Sequence, residues 1–127
     1  HGHSFTGNPL SCAAICASLD LFEKEVTLKG IDRISAAHQE FLAKHGKNPI
    51  FKKAKALGTI LSLEVEVGEE SSYFSALRLE AYNYFLAHNL LMRPLGNVIF
   101  INPPYCTTNE ELTHAYDTVM KFLTQSR

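Results

Sequence analysis

Only three of the 127 residues are cysteines, Cys12, Cys16 and Cys106. An odd number this small excludes a disulfide-dense secreted scaffold, so a reducing compartment, the cytoplasm, is expected. Charge of one sign is not in excess either. Twelve Lys and Arg stand against thirteen Asp and Glu, a net charge of −1 with neutral histidines. That balance excludes a nucleic-acid binder working through a broad positive field, and equally a polyacidic tail protein. No apolar run approaches the roughly 20 residues that span a bilayer, and the start shows no charged-then-apolar signal segment. With 46% apolar and 20% charged residues, wholesale disorder is excluded too. Repeats, low-complexity tracts and Pro/Ser-rich linkers are absent, which leaves one folded unit of ordinary domain size, roughly 100–150 residues. The chain opens at His1 rather than methionine, directly in turn chemistry, and is expected to be a piece of a longer protein.

The opening stretch His1-Gly2-His3-Ser4-Phe5-Thr6-Gly7 reads as an irregular loop, with Asn8-Pro9 as an N-cap followed by proline at the first helical position. Leu10 to Phe22 is rich in Ala and Cys, and predicts a helix lying close against neighbouring backbone and largely buried. Leu28, Ile31, Ile34, Phe41 and Leu42 give a second helix its stripe, with Gly46 near its stop. Lys52, Lys53 and Lys55 read as a solvated approach to a strand. The strict alternation from Leu61 to Val67 is that strand, with Ser62, Glu64 and Glu66 on its wet face. Gly68 to Ser72 read as a polar turn, and Phe74, Leu77, Ala81, Tyr84, Phe85 and His88 as a third helix. Leu90 to Arg93 and Val98 to Ile101 flank a glycine-containing turn and predict a hairpin, its first strand cut short by Pro94. Thr108 and Glu111 have capping-box spacing ahead of a last helix striped by Leu112, Ala115, Tyr116, Val119 and Leu123. The predicted order is α-α-β-α-β-β-α, an α+β fold with a small antiparallel sheet of about three strands covered on one face by helices.

Two places could carry chemistry. The opening loop places glycines, Ser4 and Thr6 before a capped helix, a setting for an anion held by backbone amides, hydroxyls and the positive helix end. No phosphate-loop or dinucleotide fingerprint accompanies it, and the local pattern by itself favours a plain polar loop leading into a capped helix. Arg93 emerges between Leu91, Met92, Pro94 and Leu95. An arginine there needs an anionic partner or an exit to water, and a ligand carboxylate or an internal glutamate would each supply the partner. The other polar residues suggest packing or solvation. His1 and His3 lack a third metal ligand, and no metal site is expected. His38, His45, His88 and His114 fall on or beside helices as surface or half-buried residues, and Cys12 and Cys16 sit in small apolar company that favours packing.

These same two places carry a resemblance. The run from His1 to Ala14 resembles the segment after the active-site lysine of class III aminotransferases, pyridoxal-phosphate enzymes of fold type I. The run Arg93-Pro94-Leu95-Gly96-Asn97, followed by Pro103-Pro104-Tyr105, resembles the biotin-pathway branch of that family. That branch moves an amino group from S-adenosylmethionine to 8-amino-7-oxononanoate. The resemblance implies a homodimer in which Ser4 and the His3 backbone meet the cofactor phosphate held by the neighbouring subunit. It further implies that Gly2 lies beside the amino-oxononanoate and that Arg93 pairs with its distal carboxylate. The family usually has threonine where this chain has Ser4, and some relatives have tyrosine at Phe100.

On this reading residues 1–25 are a cofactor-phosphate loop with a linking helix, and 26–127 the small C-terminal α+β domain. In the family the lysine that joins the cofactor lies upstream of the opening motif. None of Lys24, Lys29, Lys44, Lys47, Lys52, Lys53, Lys55 or Lys121 matches it, so these residues by themselves are expected not to transaminate. The expected partners are a second subunit and small-molecule substrates, with no nucleic acid and no membrane. The other readings are an ω-amino-acid transaminase such as a 4-aminobutyrate enzyme, and a non-enzymatic α+β binding module.

Overall fold

The computed structural model describes residues 2–3, 6–66 and 71–125, with 71–77 as backbone. Helices α1 (Pro9–Phe22) and α2 (Glu25–His45) come first, then strands β1 (Phe51–Leu57) and β2 (Ile60–Val65). Helix α3 (Ser71–Ala87), strand β3 (Val98–Ile101) and helix α4 (Asn109–Gln125) complete the order. The sheet runs β1-β2-β3, antiparallel throughout. The predicted α+β class and strand number hold, but one strand is differently placed: Phe51–Leu57 is a strand and Leu90–Arg93 is not.

The alternation in β2 does what its pattern requires: Leu61, Leu63 and Val65 are buried, while Ser62 and Glu64 stay on the wet side. Ile99 and Ile101 of β3 pair with Leu63 and Leu61 and turn to the same side. Over this side lie Phe41 of α2, Ala81 and Phe85 of α3, and Val119, Phe122 and Leu123 of α4, forming one core. Each fully buried large apolar side chain contributes roughly 1.5–3 kcal/mol by leaving water. The opposite face presents Lys53 against Glu64 and Ser62 against Phe100, so the sheet is covered on one side as expected.

The lysine segment is itself a strand. Lys53 and Lys55 project outward, while Ala54 and Ala56, paired with Leu63 and Leu61, turn toward the core. Alanine marks a strand's inner face weakly, which hid the alternation. A register shift between Phe51 and Lys53 accompanies an ion pair from Lys52 Nζ to Glu64 Oε1 at 3.5 Å. The true hairpin is β1–β2, turned at Gly58-Thr59 with Gly58 at φ 54°.

Leu90–Arg93 is not a strand. The amide of Leu90 donates to Phe85 (2.8 Å) and that of Asn89 to Leu86 (3.1 Å), with Asn89 at φ 61°. This is a Schellman termination with asparagine in the left-handed position, and it ends α3 where a strand was expected. Toward β3 only a single bridge, Leu95 to Val98, remains of the expected hairpin. Of the polar turn expected from Gly68 to Ser72, residues 68–70 lie outside the described residues, as does the end of the predicted strand at Val67, while Ser71 and Ser72 already belong to α3.

Helix α1 also departs from expectation. Asn8 caps it, its Oδ1 accepting from Leu10 (2.9 Å) and Ser11 (3.4 Å), with Pro9 in the first turn. Yet none of its residues is buried, and Leu10 is 82% exposed. Among the described residues it lies mainly against α2. An apolar helix in this state has a surface that calls for cover.

His38, expected as a surface or half-buried residue, is fully buried. Its Nε2 lies 3.0 Å from the Thr59 carbonyl and its Nδ1 2.6 Å from the Tyr116 hydroxyl. A carbonyl only accepts, so Nε2 carries the proton and Nδ1 accepts from the tyrosine. Burial lowers the His38 pKa and pushes the Tyr116 hydroxyl up to about 12. The neutral imidazole thus joins α2, α4 and the hairpin turn.

Candidate functional site

The opening loop is closed on itself. The His3 amide donates to Thr6 Oγ1 at 2.9 Å and the Thr6 amide donates to the His3 carbonyl at 2.9 Å, with Gly7 at φ 73° beyond. Gly2 and His3 are exposed, and a Cβ on Gly2 would meet nothing within 4 Å. Ser4, with His1 and Phe5, lies outside the described residues. The first amides of α1 are already satisfied by Asn8, so an anion here would take its donors from the loop rather than from the helix end. Residues 1–19 carry no acidic side chain.

Arg93 lines a different place, an open cavity of about 820 Å³. Its walls come from the segment leaving α3 (Leu91, Met92), from β3 and its exit (Phe100, Pro103, Pro104), and from the start of α4 (Glu110, His114). The sequence dictates how Arg93 is set there. Past the Schellman turn, Pro94 is buried, and Gly96 at φ 58° lets Leu95 and Val98 exchange hydrogen bonds of 2.9 Å in both directions. Asn97 Nδ2 then donates to the Val65 carbonyl at 2.9 Å, tying this turn to the end of β2. On the other side His114 Nε2 lies 2.9 Å from the His88 carbonyl, which holds the end of α3 against α4. Arg93 therefore projects, exposed to solvent, from a strap tied on both sides.

Among the described residues Arg93 has no hydrogen-bond or ion-pair partner, so no internal glutamate neutralises it. The nearby acids are otherwise engaged. Glu111 Oε2 accepts from the Thr108 amide at 2.7 Å while Thr108 Oγ1 accepts from the Glu111 amide at 3.2 Å, the predicted capping box. Hydrogen bonds from its own amide and from Thr108 hold the Glu110 carboxyl below its ordinary pKa. The cavity thus offers an unpartnered guanidinium beside Leu91, Met92 and Phe100, suited to an anionic group on an apolar chain.

The two expected sites are not brought together among the described residues: the opening loop contributes nothing to the cavity that Arg93 lines. No group of three or more potential metal ligands occurs among them, and all three cysteines are exposed and free. No helix of the structure is long and apolar enough to cross a membrane. Sequence reasoning passed over Arg33, which reaches from α2 to the loop before α4. Its partners are two backbone carbonyls and Asn109 Oδ1, all more than seventy residues away, for which no sequence pattern exists.

The profile of the family described as aminotransferase class-III matches residues 1–123. The adenosylmethionine-8-amino-7-oxononanoate aminotransferase of Synechococcus elongatus is 36% identical over 97% of this chain and 28% of its own length. The Helicobacter pylori protein of the same name is 32% identical over 100% of this chain and 29% of its own. The crystal structure of the Methanocaldococcus jannaschii protein of that name superposes with a TM-score of 0.81 at 27% identity, over 98% of this chain and 30% of that one. The Vibrio fluvialis aminotransferase in its PMP-bound form gives the same TM-score of 0.81 at 22% identity, a likeness of fold. The chain thus spans less than a third of the length of the curated relatives it matches.

Proposed function

The chain belongs to the class-III aminotransferase family, and from that premise we propose that it is the C-terminal part of a pyridoxal-phosphate enzyme of biotin synthesis. The whole enzyme moves an amino group from S-adenosylmethionine to 8-amino-7-oxononanoate, working as a homodimer in the cytoplasm. Residues 1–25 serve as the cofactor-phosphate loop with its linking helix, and 26–127 as the small domain. The observation that carries this reading is the guanidinium of Arg93, solvent-exposed and without a protein partner among the described residues, on the wall of an open, largely apolar cavity. The amino-oxononanoate ends in a carboxylate on an aliphatic chain, which a planar arginine fork flanked by Leu91, Met92 and Phe100 suits. Phe100 brings an aromatic face without a hydroxyl.

Pyridoxal phosphate, when bound, would supply the electron sink and the transient amino-group carrier for this chemistry. Its donor requirements fit the opening loop: backbone amides, hydroxyls, and no carboxylate before Asp20. In this reading the Ser4 hydroxyl and the His3 backbone hold the phosphate belonging to the neighbouring subunit. The His3 amide, now turned to Thr6, is the donor that would be redirected. Gly2 gives the acceptor substrate room at its Cα. The joining lysine belongs to another part of the enzyme, so these 127 residues by themselves do not transaminate.

An ω-amino-acid transaminase is the second reading, favoured by a tomato mitochondrial gamma aminobutyrate transaminase that is 28% identical over 88% of this chain. Donor choice in the intact enzyme separates the two. Amino transfer from S-adenosylmethionine to 8-amino-7-oxononanoate is expected; turnover of 4-aminobutyrate with none from S-adenosylmethionine rejects the first reading.

A further inference from the structure

Arg33 projects from α2 and has no carboxylate within ion-pair distance among the described residues. Its guanidinium instead donates to the carbonyl of Thr107, to the carbonyl of Tyr105 at 3.4 Å, and to Asn109 Oδ1 at 3.1 Å. One turn earlier on the same helix, Gly30 is buried against the Tyr105 carbonyl so closely that any Cβ would collide with it. The Tyr105 ring meets Phe22 edge-on, with centroids 5.6 Å apart. A single side of α2, with the end of α1, therefore grips the connection between β3 and α4.

That connection also builds the cavity. Asn102, Pro103, Pro104 and Thr107 line it, followed by Glu110 and Glu111 in the first turn of α4. Two consecutive prolines allow little rotation about φ, which leaves the Pro103-Pro104 wall few ways to move independently of the adjoining Tyr105. Arg33 itself does not line the cavity. Charge-assisted hydrogen bonds to carbonyls are among the stronger ones a side chain can make. Here they are spent on a connecting loop, although α4 already has its own capping box.

We propose that Arg33 is a positioning residue for the acceptor substrate: by holding the Tyr105 and Thr107 carbonyls it fixes the proline wall of the cavity that Arg93 lines. The inference rests on the reading of Arg93 given above, and goes beyond it in assigning a role to a residue that touches no ligand.

The test uses the intact enzyme, with the two half-reactions measured separately. The amino-donor half is read as the absorbance change of bound cofactor on adding S-adenosylmethionine, and the acceptor half as the KM for 8-amino-7-oxononanoate. Arg33→Ala is expected to raise the acceptor KM about tenfold and leave the donor half within about twofold, because misplacing a binding wall affects the substrate it faces. Added guanidinium ion is expected to recover part of the loss, and Arg33→Lys, which reaches a single carbonyl, to fall between. An unchanged acceptor KM, or an equal loss in both halves, overturns the proposal. Should Arg33→Ala not fold, Arg33→Lys is judged by the same split, and failure of both to fold assigns Arg33 to stability and overturns it as well. Arg93→Ala, measured in parallel, distinguishes the two claims: if that variant leaves the acceptor KM unchanged, it is the carboxylate reading that fails.

Discussion

The Nδ1 nitrogen of His38 lies 2.6 Å from the Tyr116 hydroxyl, and through this contact α2 is joined to α4 inside the core. With Nε2 committed to the Thr59 carbonyl at 3.0 Å, the tyrosine is the donor that satisfies the ring. Tyr116→Phe keeps the ring packed on Phe41, with centroids 4.8 Å apart, and removes only that donor. A buried acceptor left unpaired costs about 1–3 kcal/mol. Urea unfolding of the variant is expected to show a loss of that size with an unchanged m-value.

The same imidazole gives folding a pH dependence. Burial lowers the His38 pKa, so over an interval below the ordinary value of 6.5 the unfolded chain binds a proton that the folded one refuses. The His38 contribution is therefore complete above that value and declines as pH falls through it. The slope is at most about 1.4 kcal/mol per pH unit for one proton. Unfolding free energies measured from pH 7.5 to 5 should decline in the parent and decline less in His38→Gln. Equal slopes would contradict the neutral, buried assignment.

The β1–β2 hairpin turns at Gly58 with φ 54°, where a side chain is disfavoured by roughly 1–2 kcal/mol. Gly58→Val should lower stability by about that amount, and Gly58→Asn by less, since asparagine tolerates the left-handed region. If Gly58→Val is neutral, the hairpin is not turned there.

These elements also show what was legible in the residues. Strand β2, the Asn8 cap and the Thr108/Glu111 box were readable because a short-range pattern fully specifies them. Strand β1 was not, because its inner face is built from Ala54 and Ala56, which carry little apolar signal, while its lysines suggest solvent. Leu90–Arg93 was misread because the apolar content of a strand and of an anchored helix exit are alike; the deciding feature is Asn89 at φ 61°. Arg93 was recognisable as an arginine in apolar company, whereas the absence of an internal partner could be known only from the fold. Arg33 and the burial of His38 depend on contacts 72–78 positions apart in sequence, beyond the reach of any local pattern. The exposure of α1 follows from what surrounds it, and a composition rich in Ala and Cys says only that it prefers cover.

That exposed helix makes its own prediction. Leu10, Ile15 and Leu19 are each more than half exposed on α1. The 127-residue chain on its own should bind a hydrophobic dye and self-associate, and replacing these three residues with glutamine should reduce both. A monomer that binds no dye would show that α1 needs no cover.

The measurement that bears most directly on the whole account is the KM for 8-amino-7-oxononanoate in the intact enzyme carrying Arg93→Ala. Loss of two charge-assisted hydrogen bonds, each about 1.5–3 kcal/mol, predicts a KM raised roughly 100-fold or more, with the S-adenosylmethionine half-reaction retained. An unchanged KM, or an equal loss with every substrate, would contradict the assignment of Arg93 as the arginine that holds the acceptor's carboxylate.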